Sequence, residues 1–517
     1  MRKISRFYDF ISACRFFSSM AASFRLKRKF KLKYSENNEI RKKSKKGFLW
    51  LLLGTAGQNA LQLISILVLA RILTPEDFGV VSIGVAIIAF LRIFSEIGVG
   101  PALVHKEKIV SLDIATANLL ALVLGLTLSA LLYYQANSFA KFFSAKELED
   151  VLKYLAFMLP VISYSVVGQS LLQRSLDFKK LAIFTFVSYF FAYGVVSIYM
   201  AMNGYGIWAL VSAYWVQALV FLLFLIVARS SPLRLGFSYS SAKGMLAYGF
   251  GHSIARFWNY AAGQGDNLVI GKILGSESVG FYGRAYQIMS MPAILFGSVI
   301  DKVFFPLMVK MRGDKHAIEK LYLSSIYFSL LIFVFFSGYL FIFSKEIVYL
   351  LFGEGWNYVI DLIKVMSVGL YFRIGYKFSD CLTMAIGKVY ARAVLQFIYA
   401  VAVVGFVVLG SQWGLIGASV GVVLAIIMNY ILMMFLVWKI LRFSLLSVFL
   451  RHIKIVSIFS ASMFLYAILS AWVNTRFEFL NFLILSVIYL FSVVTLIFIC
   501  SGALKDEIET LKLMVKR

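Results

Sequence analysis

The sequence is short of acids, prolines and cysteines, and each shortage excludes a class of protein. There are 25 Asp and Glu against 51 Lys and Arg, so the formal charge is +26. With six prolines in 517 residues, long helical runs are rarely interrupted, and no alternating strand pattern typical of an outer-membrane barrel is present. The three cysteines, Cys14, Cys381 and Cys500, are too far apart for a metal site or a disulfide framework. We therefore expect neither a metal nor a cofactor.

Groupings of catalytic residues are also missing. The four histidines are scattered along the chain: His105, His252, His316 and His452. The sequence has no Ser/His/Asp or Cys/His arrangement, and no glycine loop ending in Lys-Ser or Lys-Thr that could hold a phosphate. The loops between apolar runs are short, which leaves little soluble chain from which to build a catalytic site. We therefore predict that the protein is not an enzyme.

Apolar residues dominate what is present: 61% of the chain is hydrophobic, 15% is charged, and the mean hydropathy is +0.85. A water-soluble protein of this length could not bury so much apolar surface, so lipid must be its main solvent. At about 20 apolar residues per span, the sequence predicts an all-α integral membrane protein with fourteen transmembrane helices. The predicted spans are 48–70, 79–100, 115–137, 152–172, 180–201, 205–228, 246–273, 279–308, 323–344, 358–385, 389–410, 413–438, 453–473 and 479–501.

The positive charge is concentrated where it indicates orientation in the membrane. Residues 1–46 hold fifteen Lys and Arg against three acids, and most other basic residues fall in alternate loops. This asymmetry predicts that both termini lie in the cytoplasm, and it explains the charge without a nucleic-acid partner. The basic tail has two interpretations. It is a segment that binds anionic membrane lipid, or an extension created by an upstream start, with Met20 or a later position as the functional start.

Two pairs of similar segments indicate an internal repeat. Residues 71–79 align with 272–280, and residues 206–209 align with 414–417, each pair at matching places in the two halves. The repeats run in the same direction through the membrane, a plan known for transporters with a cavity between two lobes. The predicted organisation is a basic cytoplasmic tail over 1–46, an N-lobe of helices one to six over 47–230, a C-lobe of helices seven to twelve over 244–440, and two further helices with the cytoplasmic C-terminus over 441–517.

Polar residues within the first two predicted spans fall on single helix faces. In the first span, Gln58 and Gln62 belong to a polar stripe. In the second, Arg92 and Glu96 are four residues apart, a spacing that suits an ion pair on one helix face. Charge at membrane depth is costly and usually faces a cavity or a partner. Arg92 and Glu96 are therefore either a structural pair or part of a binding site.

The seventh and tenth predicted spans carry further charged faces. Their residues are His252, Arg256, Asn259 and Asp266 in the seventh, and Arg373, Lys377 and Asp380 in the tenth. Facing helices one and two, they would line an aqueous cavity whose arginines suit a pyrophosphate, because guanidinium binds phosphate oxygens in pairs. Lys377 could instead extend to the membrane interface. Asp266 could pair with Arg256 or bind a coupling cation, and Glu96 and Asp380 are the other ion-coupling candidates.

Several stretches resemble Wzx-type polysaccharide exporters of the multidrug/oligosaccharidyl-lipid/polysaccharide (MOP) flippase superfamily. They are Leu73-Thr-Pro-Glu-Asp-Phe-Gly79, Ile97-Gly-Val-Gly-Pro-Ala-Leu-Val-His105, Leu171-Leu-Gln-Arg-Ser-Leu-Asp-Phe-Lys-Lys-Leu181, Asp266-Asn-Leu-Val-Ile-Gly-Lys-Ile-Leu-Gly275 and Gly280-Phe-Tyr-Gly-Arg-Ala-Tyr286. The resemblance covers roughly residues 48–440 and does not indicate one sugar polymer. The long basic tail departs from the short N-terminus usual in that family.

The resemblance implies a two-lobe flippase of the bacterial inner membrane that works by alternating access. Its substrate would be an undecaprenyl-pyrophosphate-linked oligosaccharide for O-antigen, capsule or exopolysaccharide assembly, with a polysaccharide polymerase and a chain-length regulator as expected partners. It also implies that cavity charges matter, with Arg92, Arg256 and Arg373 as equivalents by helix position. A cation-coupled multidrug antiporter is the alternative, but it predicts an acidic cavity, whereas the charge here is mainly basic. A polymerase or ligase predicts a large periplasmic loop, which the sequence lacks. No feature of the sequence indicates an oligomeric state.

Overall fold

A computed structural model describes most of the chain beyond the basic tail. The described residues are 50, 54, 57–96, 99–106, 108–228, 234–311, 313–473 and 478–499. Across these ranges the secondary structure is helical and contains no β-strand. The predicted all-α fold is therefore confirmed, while the predicted tail 1–46, Cys14 and Cys500 lie outside the described residues.

The first half of the molecule, helices α1 to α9, covers the first six predicted spans. Three of these spans overlap more than one helical piece. The helix through 178–202 contains a π-helical turn at Phe190–Val196, where one hydrogen-bond register slips. The helices are α1 (Gly57–Leu69), α2 (Pro75–Glu96), α3 (Val99–His105), α4 (Ser111–Phe143), α5 (Glu147–Ala156), α6 (Met158–Arg174), α7 (Phe178–Tyr189), α8 (Ser197–Met202) and α9 (Ile207–Val227).

The second half, helices α10 to α17, follows the same order of long helices. It includes a second π-helical turn at Ile300–Phe304. The helices are α10 (Tyr239–Leu274), α11 (Ser276–Val299), α12 (Phe305–Lys310), α13 (Lys315–Ile342), α14 (Ser344–Leu351), α15 (Asn357–Ala385), α16 (Val389–Gly410) and α17 (Gly414–Leu441). Two further helices complete the described chain: α18 (Leu445–Ser470) and α19 (Glu478–Ile499).

Among the described residues, nine helical segments are long and apolar enough to cross a membrane, and the protein is a multi-pass membrane protein. A helix overlaps each of the fourteen predicted spans, but the count of fourteen membrane crossings stays a prediction. Several helices are longer than predicted. One example is α10, which begins at Tyr239, seven residues before its predicted span, because polar first turns continue a helix beyond the bilayer.

The start of α2 has a reciprocal capping geometry. The Thr74 hydroxyl accepts a hydrogen bond from the Asp77 amide at 3.2 Å, and the Asp77 carboxylate accepts one from the Thr74 amide at 3.0 Å. Pro75 occupies the first helical position, where a missing N–H leaves no intrahelical bond unmade. Such reciprocal caps satisfy two backbone donors and typically contribute about 1 kcal/mol, so the direction of α2 is set by local sequence.

The two halves meet at this first turn of α2 and the first turn of α11. A Cβ atom added to Gly79 would lie 1.8 Å from the Ser276 carbonyl oxygen, and one added to Gly280 would lie 1.8 Å from the Pro75 carbonyl oxygen. The contact is reciprocal, as expected for the segments that the sequence aligns as repeats. Only glycine permits so close a backbone approach. The molecule is therefore tightly packed between its halves at this end.

A buried tryptophan reinforces the same end of the molecule. The Trp356 indole N–H donates to the Ala70 carbonyl at 2.8 Å, and its ring packs edge-on against Phe78 at 5.6 Å between centroids. The Arg71 guanidinium donates to the Leu350 carbonyl at 2.9 Å. These bonds join residues nearly three hundred positions apart in the chain, so they connect the two halves directly.

The last two helices add to the outside of the second half. The Tyr489 hydroxyl on α19 donates to the Phe335 carbonyl on α13 at 2.6 Å, and α18 also packs on α13. Most of the side chains of α18 and α19 are not buried in the protein. Because these exposed faces are apolar, they suit contact with lipid.

Candidate functional site

The central feature of the site is an ion triad that joins the two halves. On α2, the Arg92 guanidinium donates to the Glu96 carboxylate one helical turn away, so the ion pair suited to that spacing forms. Arg256, on α10 in the second half, binds the other oxygen of Glu96 at 2.6 Å. Two cations therefore share one anion, which leaves the triad with a net charge of +1.

Burial differs sharply between the members of the triad. The Glu96 side chain is 5% exposed, whereas both arginine side chains are 40% exposed. A carboxylate so deeply buried requires cationic partners, because an unpaired charge in this environment would be strongly destabilising. The arginines retain donors for a further anion, since each guanidinium has five N–H groups and uses few of them on Glu96.

The triad lies in the wall of a cavity of about 630 Å³, which we call the charged cavity. Its other walls come from α3 and from the end of α6, at the opposite end of α2 from the Gly79–Gly280 contact. At 1.5 Å per residue, Gly79 and Glu96 are about 25 Å apart along the helix. The lining residues are Arg92, Glu96, Gly100, Pro101, Val104, His105, Val166, Gln169, Ser170, Gln173 and Arg256.

A second cavity of about 400 Å³, which we call the polar cavity, shares Arg92 and Gln169 with the first. It lies within the first half and carries hydroxyl and amide groups at intervals along apolar walls. Its polar members are Arg92, Ser165, Gln169, Thr185, Ser188, Tyr214 and Gln217. Hydroxyls and amides both donate and accept hydrogen bonds, so these groups suit the hydroxyls of a sugar. The two cavities together place cations beside a surface of neutral hydrogen-bonding groups.

The charged residues of the tenth predicted span lie elsewhere. On α15, the Lys377 ammonium binds Asp301 at 2.9 Å, and the Asp380 carboxylate accepts hydrogen bonds from two nitrogens of Arg392. The Arg373 guanidinium donates to the Tyr286 hydroxyl at 2.6 Å and lies over its ring. Neither Arg373 nor Lys377 is among the described side chains that line the charged and polar cavities.

Asp266, the remaining acidic candidate, is buried and accepts hydrogen bonds from the Tyr282 hydroxyl and the Asn267 amide. The pairing with Arg256 that the sequence left open does not form, because Arg256 is turned toward Glu96 on the neighbouring helix. Within the described part of the chain, no group of three or more His, Cys, Asp or Glu is placed to hold a metal ion.

The other predicted site residues fall into two groups. Gln58 and Gln62 on α1 are half-buried, and the described linings of the charged and polar cavities do not contain them. His252 and Asn259 lie on α10, but their side chains are outside the described residues. The structure thus brings together Arg92, Glu96 and Arg256 and leaves the site roles of the other candidates as predictions.

Two features of the site were not predicted. Gln169 and Gln173 on α6 line the charged cavity, and their spacing of four residues within an apolar span was the available signal. Arg284 on α11 packs over the Phe78 ring at 4.5 Å and donates to the Gln287 side chain at 2.8 Å. It connects the second half to a cluster of aromatic residues in the first half, near Tyr214 of the polar cavity.

Comparison with known proteins agrees with this architecture. Residues 68–361 match the family of polysaccharide biosynthesis proteins. The chain is 28% identical over 324 residues to the succinoglycan biosynthesis transport protein ExoT of Rhizobium meliloti (strain 1021), an alignment that spans 62% of this chain and 64% of that protein. It is 25% identical over 420 residues to the lipopolysaccharide biosynthesis protein WzxC of Escherichia coli (strain K12), covering 77% and 82% of the two chains.

Solved structures share the fold at low sequence identity. The lipid II flippase MurJ, in an inward closed conformation, superimposes with a TM-score of 0.71 at 16% identity, covering 88% of this chain and 99% of that one. An inward-facing multidrug resistance MATE transporter of the MOP superfamily gives a TM-score of 0.59 at 17% identity, covering 74% and 94%. These likenesses show that the chain shares the fold of these solved proteins. Because the family match includes more than half of the residues, the chain belongs to the family of polysaccharide biosynthesis proteins.

Proposed function

We propose that this protein is a flippase that moves undecaprenyl-pyrophosphate-linked oligosaccharide units across the bacterial inner membrane, from the cytoplasmic to the periplasmic leaflet. The observation that carries the proposal is the ion triad in the charged cavity, where Arg92 and Arg256 share Glu96. The product would serve O-antigen, capsule or exopolysaccharide assembly, in keeping with relatives named for succinoglycan and lipopolysaccharide biosynthesis.

The chemistry of the two cavities matches the two polar parts of such a substrate. A pyrophosphate is a multivalent anion, and each charge-assisted hydrogen bond from an arginine contributes about 1.5–3 kcal/mol. The sugar hydroxyls require neutral donors and acceptors, which Gln169, Ser188 and Gln217 in the polar cavity supply. Because Arg92 lies in both cavities, one bound molecule could use both sets of groups.

The two halves of the molecule would carry out alternating access as an N-lobe over 47–230 and a C-lobe over 244–440. In the state described, the lobes touch at the Gly79–Gly280 contact, and the charged cavity lies toward the other end of α2. With both termini in the cytoplasm, as the loop charges predict, the tightly packed end is periplasmic and the charged cavity is cytoplasmic. This is the conformation expected to receive a substrate from the cytoplasmic leaflet.

Coupling to an ion gradient would use an acid that is not already held by two cations. Glu96 is held by Arg92 and Arg256, and Asp380 by Lys377 and Arg392. Of the three acidic candidates, Asp266 is therefore the one that we favour for coupling, because its described partners are a hydroxyl and a backbone amide. A polysaccharide polymerase and a chain-length regulator are the protein partners that this role implies.

The direct experiment measures the leaflet distribution of pyrophosphate-linked oligosaccharide in spheroplasts, using a membrane-impermeant sugar-modifying reagent. Cells lacking the protein should accumulate the lipid in the inner leaflet, and re-expression of the native chain should return it to the outer leaflet. Arg256→Ala, matched for membrane abundance, should restore little of it. An unchanged distribution in the deletion strain, together with raised sensitivity to cationic drugs, would instead support the alternative function, a cation-coupled multidrug antiporter.

A further inference from the structure

A third cavity, which we call the apolar cavity, lies between the two halves on the other side of α2. It has a volume of about 440 Å³, within the usual range of about 300–1,000 Å³ for ligand pockets. Side chains from α2, α4, α10 and α16 form its walls, and almost all of them are aliphatic or aromatic. The exception is Lys272, whose ammonium is directed to the Phe142 carbonyl at 2.7 Å and to the ring of the same residue.

This cavity opens on the surface that faces lipid. Three of its lining side chains, Phe142, Ile273 and Val408, are large, apolar and exposed. In a protein that spans a membrane, exposed apolar side chains of long helices contact hydrocarbon. The apolar cavity is therefore accessible from the bilayer, whereas the charged cavity is lined by ions that hydrocarbon cannot solvate.

Helix α2 forms the wall between the two environments. Ile87 and Phe90 line the apolar cavity, and Arg92 and Glu96 line the charged cavity one turn further along. On α10, Arg256 lines the charged cavity and residues 268–273 line the apolar cavity, at least about 18 Å further along the helix. A polar site and an apolar site thus lie on either side of α2.

Aromatic side chains close the gap between α2 and α10 at the level of this wall. The Phe90 ring packs against Phe257 and Tyr260, with centroids 5.9 and 6.1 Å apart, and the Tyr260 hydroxyl donates to the Ala86 carbonyl. Phe94 adds a further ring to the same stack. The seam between the helices is made of side chains that can rotate, so a linear hydrocarbon could replace ring contacts there with little loss of apolar packing.

We propose that the apolar cavity binds the polyisoprenoid chain of the substrate while the charged cavity holds its pyrophosphate, with the molecule passing between α2 and α10. The assignment rests on the proposed flippase function. A chain drawn into the charged cavity would lose its apolar surroundings, since every methylene exposed to water weakens binding. A chain in the apolar cavity keeps its apolar surroundings. The apolar cavity also lies on the far side of Arg92 from the cytoplasmic opening, which is the direction in which the tail of a lipid in the cytoplasmic leaflet points.

The substrate chain is favoured over a membrane phospholipid because of the closeness of the two cavities. Once the pyrophosphate is held by the arginines, the attached chain is present at the seam at a high effective concentration. A phospholipid gains no such advantage unless its own head group enters the charged cavity. The apolar cavity should therefore bind a chain that is attached to a pyrophosphate in preference to the chain of a phospholipid.

The experiment uses the full-length protein in lipid nanodiscs and a polyprenyl diphosphate carrying a photoreactive diazirine in its chain. The native protein should crosslink to peptides of α2, α4 or α10, and unlabelled long-chain polyprenyl diphosphate should suppress the crosslink. Val269→Trp fills the cavity from α10 and should lower that crosslink by about tenfold or more, since several buried methylenes are lost. Val408→Trp fills it from α16. Val456→Trp, on the exposed face of α18, is the matched control and should change nothing.

Head-group binding is measured in parallel through competition by a short-chain polyprenyl diphosphate. The cavity-filling variants should bind the short-chain compound as the native protein does while losing the extra affinity for the long chain. Equal crosslinking in the native protein and both variants, or suppression of the crosslink by phosphatidylglycerol as effective as that by the diphosphate, would overturn the proposal. A native protein that binds neither diphosphate would instead refute the proposed function, so the two failures are distinguishable.

Discussion

Replacing Glu96 by Gln separates a binding role of the triad from a purely structural one. Glutamine keeps the size of the side chain and an oxygen that accepts hydrogen bonds, but it removes the negative charge shared by Arg92 and Arg256. In the native protein, a pyrophosphate must compete with Glu96 for the two guanidinium groups. We therefore expect Glu96→Gln to bind the substrate diphosphate more tightly and to transport it more slowly, because release becomes the slow step.

The size of the effect follows from the contacts in the structure. A hydrogen bond between charged groups contributes about 1.5–3 kcal/mol, but the arginine side chains are 40% exposed and water screens part of the attraction. We take about 1–2 kcal/mol as the gain in binding free energy, which corresponds to an affinity about 5- to 30-fold higher. The free protein should be less stable than the native one, because two nearby cations lose their common anion.

The assay combines equilibrium binding of a polyprenyl diphosphate in nanodiscs with flux in proteoliposomes. Asp380→Asn is the matched control: its side chain is 4% exposed and is held by Lys377 and Arg392, but it does not line the charged cavity as described. It should lower stability to a similar degree and leave affinity unchanged. Weaker or unchanged diphosphate binding in Glu96→Gln would refute the competition argument and would leave Glu96 as a residue that only orients the arginines.

Two further predictions concern the same helices. Arg256→Ala should lower diphosphate affinity about 5- to 30-fold, since one screened charge-assisted hydrogen bond is lost, and Arg256→Lys should recover part of that affinity. The control is Lys153→Ala, which removes a cation of similar exposure that is paired on α5 and should leave affinity unchanged. An equal loss of affinity in Arg256→Ala and Lys153→Ala would argue against a binding site at Arg256. Gly280→Ala places a Cβ atom 1.8 Å from a backbone oxygen of the other half, so it should destabilise the state described by about 1–3 kcal/mol. Its melting temperature should fall, whereas Gly283→Ala, which meets no atom within 4 Å, should melt like the native protein. Equal melting of the two variants would contradict the close contact.

Much of the fold could be predicted because its determinants are local. Apolar runs of membrane length place the helices, and Thr74 and Pro75 form a local cap at the start of α2. The ends of the helices were harder to predict from the sequence, because a rule based on apolar length ends each helix where the hydrocarbon core of the membrane ends. Helix α10 begins at Tyr239 since Ser238 caps it through the Ser241 amide, a polar signal that a hydropathy count ignores.

The site was predictable only within each helix. The spacing of Arg92 and Glu96 predicts their pair from sequence alone, and the structure contains it. The third member depends on which helices are neighbours, because Arg256 is 160 residues from Glu96. Asp266 was the nearer acid along the sequence, but it lies almost three turns further along the same helix and is bonded to Tyr282. Sequence proximity therefore suggested a partner that helix packing does not supply.

Exposure separates the charges that hold the fold from those available to a substrate. The carboxylates of Glu96, Asp266 and Asp380 are buried, and each has its own donors. Such groups are satisfied, and rearranging them is costly in a low-dielectric interior. The guanidinium groups of Arg92 and Arg256 are the partly exposed members of the triad, and they reach the cavity from different halves of the molecule. An anion that binds both through their remaining N–H groups shares their positive charge with Glu96, and it therefore weakens the ionic link between the halves. In a flippase, this would make release of the link depend on the presence of the substrate, so that the lobes move when loaded and stay joined when empty.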